Sequence, residues 1–242
     1  MSLLLQCFYE FLGTLVLVLL GDGVCAATSL NKSKAQGAGW IVITMGWGFA
    51  VMCGALIAGP FTGAHLNPAL TIGLAVTNNL PAMTVVGYII AQMLGGFCGA
   101  VLVYIFYKDH YDITPDASTK LGTFCTAPAI RNPWRNFFCE FLGTWLLVYV
   151  ILCFSYSSYQ EAGNLGTLGC IPVTFLIMSI GMSLGGATGY AINPARDLAP
   201  RLAHAVLPIK DKRDSDWGYS WVPVFGPIAG ALFAAFTFML TA

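Results

Sequence analysis

Charge is scarce in this sequence. Of 242 residues, 9% are Asp, Glu, Lys or Arg and 57% are hydrophobic, whereas a soluble domain carries about 25% charged residues. That composition excludes an ordinary soluble globular domain, and a mean hydropathy of +0.74 makes the chain a polytopic membrane protein embedded in a lipid bilayer. Eleven basic residues balance eleven acidic ones, so no basic field exists for nucleic acid and no such partner is expected. The eight cysteines form no C-x-x-C pair and mostly sit inside apolar runs. They read as small buried hydrophobes, not as a disulfide framework or a metal site. No Ser-His-Asp set, metal cluster or pair of carboxylates sharing a face is visible, so neither an enzyme nor a cofactor is expected. Basic residues are missing before Lys32 and Glu10 lies inside the first apolar run, which argues against a cleaved signal peptide.

What the sequence does have is long apolar runs, at about 3–22, 39–59, 82–107, 134–156, 167–187 and 219–241, each of a length to span a bilayer. Breakers separate them at Gly59-Pro60, Asn78 to Pro81, Asn132-Pro133, Gly163 to Gly169 and Pro208. Glu10-Phe-Leu-Gly-Thr14 recurs as Glu140-Phe-Leu-Gly-Thr144, and Asn67-Pro68-Ala69 recurs as Asn193-Pro194-Ala195. Both halves run span, span, short segment, span. Three crossings per half is an odd number, so the second half inserts upside down, and inverted repeats place a solute pathway at their shared interface. The expected organisation is a single domain over 1–242, with repeats 1–107 and 134–242 joined by a connecting loop at 108–133. Small residues at Gly95 and Gly99, Gly181 and Gly185, and Gly226 and Gly230 read as close helix contacts.

The Asn-Pro-Ala copies lead the functional reading. Asn is a favoured helix cap and Pro a favoured first helical residue, so short helices are predicted from Pro68 to about Thr77 and from Pro194 to about His204. Each covers roughly 15 Å, half of a bilayer core, so two entering from opposite faces meet cap to cap at the midplane. Each cap leaves its amide NH2 to point between the tips, and each tip carries about half a positive charge. That field repels cations, and a water held as acceptor on both sides breaks a proton chain. The loops before the caps, Gly63-Ala64-His65-Leu66 and Gly189-Tyr190-Ala191-Ile192, must be non-helical backbone lining a wet cavity or buried in protein. Their carbonyls (at Gly63, Ala64, His65, Leu66, Gly189, Ala191 and Ile192) form a row of acceptors opposite apolar walls, which suits small neutral polyols.

Glu10 and Glu140 are acids at equivalent depths. They read either as acceptors for the backbone N–H groups of their own half's loop or as a proton-coupling site, and their two-fold repetition favours the first. His65 is read as a hydrogen bonder that fixes its loop in preference to a pH gate. Arg196 follows the second Asn-Pro-Ala and is expected to face a cavity, with an ion pair to Asp197 as the plainer alternative. All eleven Lys and Arg lie in or beside the connectors after spans one, three and five, which by the positive-inside rule places those connectors in the cytoplasm and the termini outside.

These motifs, together with Val222-Pro-Val-Phe-Gly-Pro227, resemble the aquaporin (major intrinsic protein) family over essentially the full length, and within it the bacterial glycerol facilitators. The resemblance implies an all-α membrane fold of six transmembrane helices plus two re-entrant half-helices in an inverted repeat. It further implies a homotetramer in the plasma membrane, with a pore in each subunit and cytoplasmic termini, against the charge count. By resemblance the selectivity filter is Trp47, Gly181, Tyr190 and Arg196, with Asp197 marking the glycerol type. Tyr190 departs from the more usual Phe. The expected function is passive passage of glycerol and other small neutral solutes, with water also permeating. Three alternatives stand beside it: a channel mainly for water, one passing dihydroxyacetone, urea or protonated lactic acid, and a proton-coupled carrier working through Glu10 and Glu140.

Overall fold

The computed structural model describes residues 1–154 and 166–241, and those residues are all helix and loop. In chain order the helices are α1 Leu3–Ser29, α2 Trp40–Thr62, α3 Pro68–Asn78, α4 Ala82–Phe106, α5 Lys108–Ile113, α6 Ala117–Gly122, α7 Pro133–Cys153, α8 Ile171–Ser183, α9 Pro194–Val206 and α10 Val222–Thr241. Five of them (α1, α2, α4, α7 and α10) are long and apolar enough to cross a bilayer. The described part of the fifth predicted span is a 3₁₀ turn, Gly166–Cys170, running into the shorter α8. Positions 155 and 156 of the fourth predicted span, and 163 to 165 of the breaker before the fifth, lie outside the described residues.

Three boundaries differ from the sequence reading. Helix α1 runs on past residue 22, carrying Asp22 inside it, to a cap at Leu30. Gly59-Pro60 does not break α2, because a proline in the last turn removes only one backbone bond. The helix ends at Gly63, which is left-handed (φ 79°, ψ 4°) and returns its N–H to Gly59 O. The 108–133 connector is not only loop, since it folds into α5 and α6.

Large apolar side chains cover the outside, and a set of polar side chains is buried among the apolar core. Leu4 and Phe106 are 82% and 79% exposed, while Glu10, Gln92, Asp197 and Arg201 are fully buried. An apolar exterior with ionisable groups turned to the bundle interior is the pattern of a protein solvated by lipid.

Without water to drive association, helices in lipid are held by close van der Waals packing at small residues. A Cβ on Gly95 would sit 2.3 Å from Phe11 O and 3.0 Å from Leu15 N, and one on Gly230 would sit 2.2 Å from Phe141 O and 2.9 Å from Trp145 N. The partners are repeat equivalents, so α1 and α4 meet as α7 and α10 do. Each half-helix then leans on the other half: α3 packs on α10, and α9 on α4. This exchange brings the two tips together.

Candidate functional site

Each half-helix opens on an Asn in extended conformation, Asn67 at φ −157° and Asn193 at φ −156°. Asn67 Oδ1 accepts from the N–H groups of Ala69 (2.9 Å) and Leu70 (3.4 Å). Asn193 Oδ1 accepts from those of Ala195 (2.9 Å) and Arg196 (3.3 Å). The amide nitrogens are not both left free for the space between the tips. Asn67 Nδ2 donates to Ile192 O at 2.8 Å and Asn193 Nδ2 donates to Leu66 O at 2.9 Å. The tips therefore clasp each other reciprocally, with one N–H per amide engaged and one remaining.

Behind the clasp, each loop is tied to an acid. Glu10 Oε1 accepts from Thr62 Oγ1 (2.5 Å) and His65 N (3.0 Å), while Oε2 accepts from Leu66 N (2.7 Å) and Gln92 Nε2 (2.8 Å). Glu140 accepts from Ala191 N at 3.1 Å and Ile192 N at 2.8 Å. Converging consecutive N–H groups on one carboxylate requires unusual backbone. Ala64, Leu66, Tyr190 and Ile192 all have positive φ, between 39° and 54°, a conformation costing of order 1–3 kcal/mol each outside glycine. With their N–H groups turned to the acids, the loops meet the clasp on the other side, where Leu66 O and Ile192 O accept from the Asn193 and Asn67 amides. His65 is held by Thr71, Nδ1 to Oγ1 at 3.1 Å, and edge-on to Tyr88.

On that other side lies a cavity of about 750 Å3. Residues 63–67 and 190–193 form one flank, Leu17, Val51, Leu147 and Ile177 are on its apolar wall, and Trp47 and Arg196 also border it. Gly181 and Gly189 stand outside the lining. The space that Gly181 leaves is shared by Tyr190 and Thr44: a Cβ there would lie 2.8 Å from Tyr190 Cζ and from Thr44 Cγ2, and one on Gly185 2.5 Å from Tyr190 Cδ1. Trp40, which the sequence reading passed over, closes this corner. Its Nε1 donates to Gly181 O at 2.9 Å and its ring meets Tyr190 edge-on at 5.7 Å. Tyr190 Oη is buried without a hydrogen-bond partner among the described residues.

Arg196 does not pair with Asp197. Asp197 accepts from Arg201 Nε (3.0 Å) and Nη2 (2.8 Å), and from Thr126 N and Oγ1 (2.7 and 2.6 Å). It thus anchors the connector after α6 to α9. The Arg196 guanidinium lies 4.0 Å over the Trp47 ring and 3.7 Å from Asp22 Oδ1. Gly21 makes room for that ring, since a Cβ there would come within 2.2 Å of it. Asp22 was also missed, and an acid inside an apolar span was its signal; Thr62, Gln92 and Thr126, which bond to Glu10 and Asp197, carried no such signal.

A family model described as "Major intrinsic protein" matches residues 1–238. The chain is 52% identical to a "Probable glycerol uptake facilitator protein" of Thermotoga maritima, over 93% of this chain and 94% of that one. It is 51% identical to "Glycerol uptake facilitator protein 3" of Lactiplantibacillus plantarum, over 98% and 96%. Among solved structures, it matches the aquaglyceroporin from Plasmodium falciparum at TM-score 0.85 and 32% identity, covering 98% of this chain and 96% of that one.

Proposed function

Because the chain belongs to the major intrinsic protein family, we propose that it is a passive membrane channel for glycerol and other small neutral solutes, with water also passing and ions and protons excluded. It is not an enzyme. The observation that carries this reading is the juxtaposition of two capped helix tips and a guanidinium on one half-polar, half-apolar cavity. Loop carbonyls accept from solute hydroxyls, the remaining Asn67 and Asn193 N–H groups and the Arg196 fork donate to them, and the apolar wall takes the carbon chain. Trp47, Tyr190 and Arg196 form the selective constriction, with Gly181 acting through the seat it gives Tyr190. Two helix tips at one level oppose cations.

Stopped-flow measurement on proteoliposomes tests the proposal. Glycerol flux well above that of protein-free vesicles is expected, and fast water flux with no glycerol flux would make the protein a water channel. The carrier reading is disfavoured by the four donors already on the Glu10 carboxylate. It requires uphill accumulation with a proton gradient, which a pore never gives.

Tyr190→Phe checks the corner. Its hydroxyl has no bond to lose, so glycerol flux within about twofold of the parent and an undiminished melting temperature are expected. Relative rates for polyols and hydroxy-acids should shift, and an unchanged panel would show that the hydroxyl does not read the solute.

The 1–107 and 134–242 repeats, joined through 108–133, make one pore, and the assembly is a homotetramer. The termini are cytoplasmic. Several cations on the opposing connectors serve the fold: Lys120 donates to Lys210 O, Lys212 Nζ donates to the carbonyls of His204, Ala205 and Leu207, and Arg131 pairs with Asp216. Accessibility of a C-terminal tag in intact cells distinguishes the two orientations.

A further inference from the structure

Asp22 sits at membrane depth in α1, 1% exposed, and neither carboxylate oxygen has a hydrogen-bond partner among the described residues. A buried carboxylate in that state is expensive unless an opposite charge stands beside it. The cation beside it is Arg196. Asp197, the next residue in sequence, is committed to Arg201 and Thr126. Asp22 is thus the carboxylate within 4 Å of Arg196 among the described residues, and the two guanidiniums and two carboxylates divide into two pairs.

We propose that Asp22 is the counter-charge of the constriction, a positioning and specificity-determining residue that acts through Arg196. This inference rests on the reading of Trp47, Tyr190 and Arg196 as the selective point. A lone guanidinium beside a narrow passage repels cations but attracts anions, and rings of Arg or Lys are how anion pores are built. With Asp22 on one side and the Trp47 face at 4.0 Å, the guanidinium is held between two partners. Its charge is balanced, and its outward N–H groups remain available to a hydroxyl. The passage then has a hydrogen-bond donor without a net field for anions. Asp22 does not line the cavity, so it reaches the solute only through Arg196. The sequence supports the placement. Gly21 vacates the volume taken by the Trp47 ring, so adjacent residues of one turn set both partners of the same guanidinium.

The test is the full-length channel in proteoliposomes and planar bilayers, as parent, Asp22→Asn and Asp22→Glu, with glycerol, water and nitrate as probes. Asn keeps the volume and removes the charge. The expected result for Asp22→Asn is a fall of about tenfold in the glycerol-to-water permeability ratio, the scale of one charge-assisted hydrogen bond, together with a nitrate conductance absent from the parent. Asp22→Glu should recover most of the ratio and abolish the nitrate conductance, which a merely structural role would not produce. A parental ratio and no nitrate current in Asp22→Asn would overturn the inference, as would Asp22→Glu failing as badly as Asn in protein of parental melting temperature. Absence of glycerol flux in the parent itself would instead sink the channel reading on which this rests.

Discussion

Arg196→Val is expected to give a pore that leaks cations. At an effective dielectric constant near 20, a unit charge about 4 Å from a passing ion contributes roughly 4 kcal/mol. Removing it should therefore raise cation permeability by two orders of magnitude or more on that estimate. The substitution also uncovers the partner of that charge. Asp22, 3.7 Å from the guanidinium, would remain behind it with its counter-charge gone, and the constriction would go from balanced to negative. Valine keeps the wall apolar and opens space over Trp47, so water and glycerol should pass at least as fast. Reversal potentials across a potassium or proton gradient check this. A potential unchanged from the parent would remove Arg196 from the exclusion mechanism and leave it to the helix tips alone.

The second large effect concerns stability. Glu10→Ala should abolish accumulation of folded protein in the membrane. Four donors converge on this carboxylate, two from backbone and two from side chains, in a site with no solvent access. Thr62 Oγ1 keeps Ala58 O and Gln92 Nε2 keeps Thr71 Oγ1, but the His65 and Leu66 N–H groups would be left without a partner at about 1–3 kcal/mol each, a large share of the 5–15 kcal/mol that holds a typical domain together. The strained backbone at Ala64 and Leu66 would lose the groups that hold it. Glu10→Gln should be nearly as damaging, because its NH2 would face donors. Glu140→Ala removes the bonds from Ala191 and Ile192 and should also destabilise. Detergent-extracted yield and melting temperature are the readouts. A Glu10→Ala protein with parental yield and passive flux, but altered coupling to a proton gradient, would point to the carrier.

Much of the fold was legible because membrane helices announce themselves by length and apolarity, and because a repeated sequence forces a repeated structure. Asn67 and Asn193 were found from cap chemistry and proline placement alone. What escaped was whatever depends on contact between distant segments. Asp22 has no counterpart in the other repeat, where Leu152 stands, so a symmetry-led reading passed over it. Trp40 lies at the start of its span, and nothing local ties it to Gly181, 141 positions away. The pairing of Asp197 with Arg201, and not with adjacent Arg196, follows from helical geometry. Residues four apart share a face and neighbours do not. Pro60 misled because breaker rules ignore where in a helix the proline falls.

The mutual clasp of Asn67 with the Ile192 carbonyl and Asn193 with the Leu66 carbonyl has a bearing on biogenesis. The leading half of the chain leaves the ribosome with its inner loop unable to finish, because the acceptor for its amide has not been synthesised. It must wait in the bilayer as an open socket until the trailing half arrives, and only then do both lock. Two fragments cut between α6 and α7 and made together in one cell should accordingly find each other and assemble, whereas either made alone should be degraded.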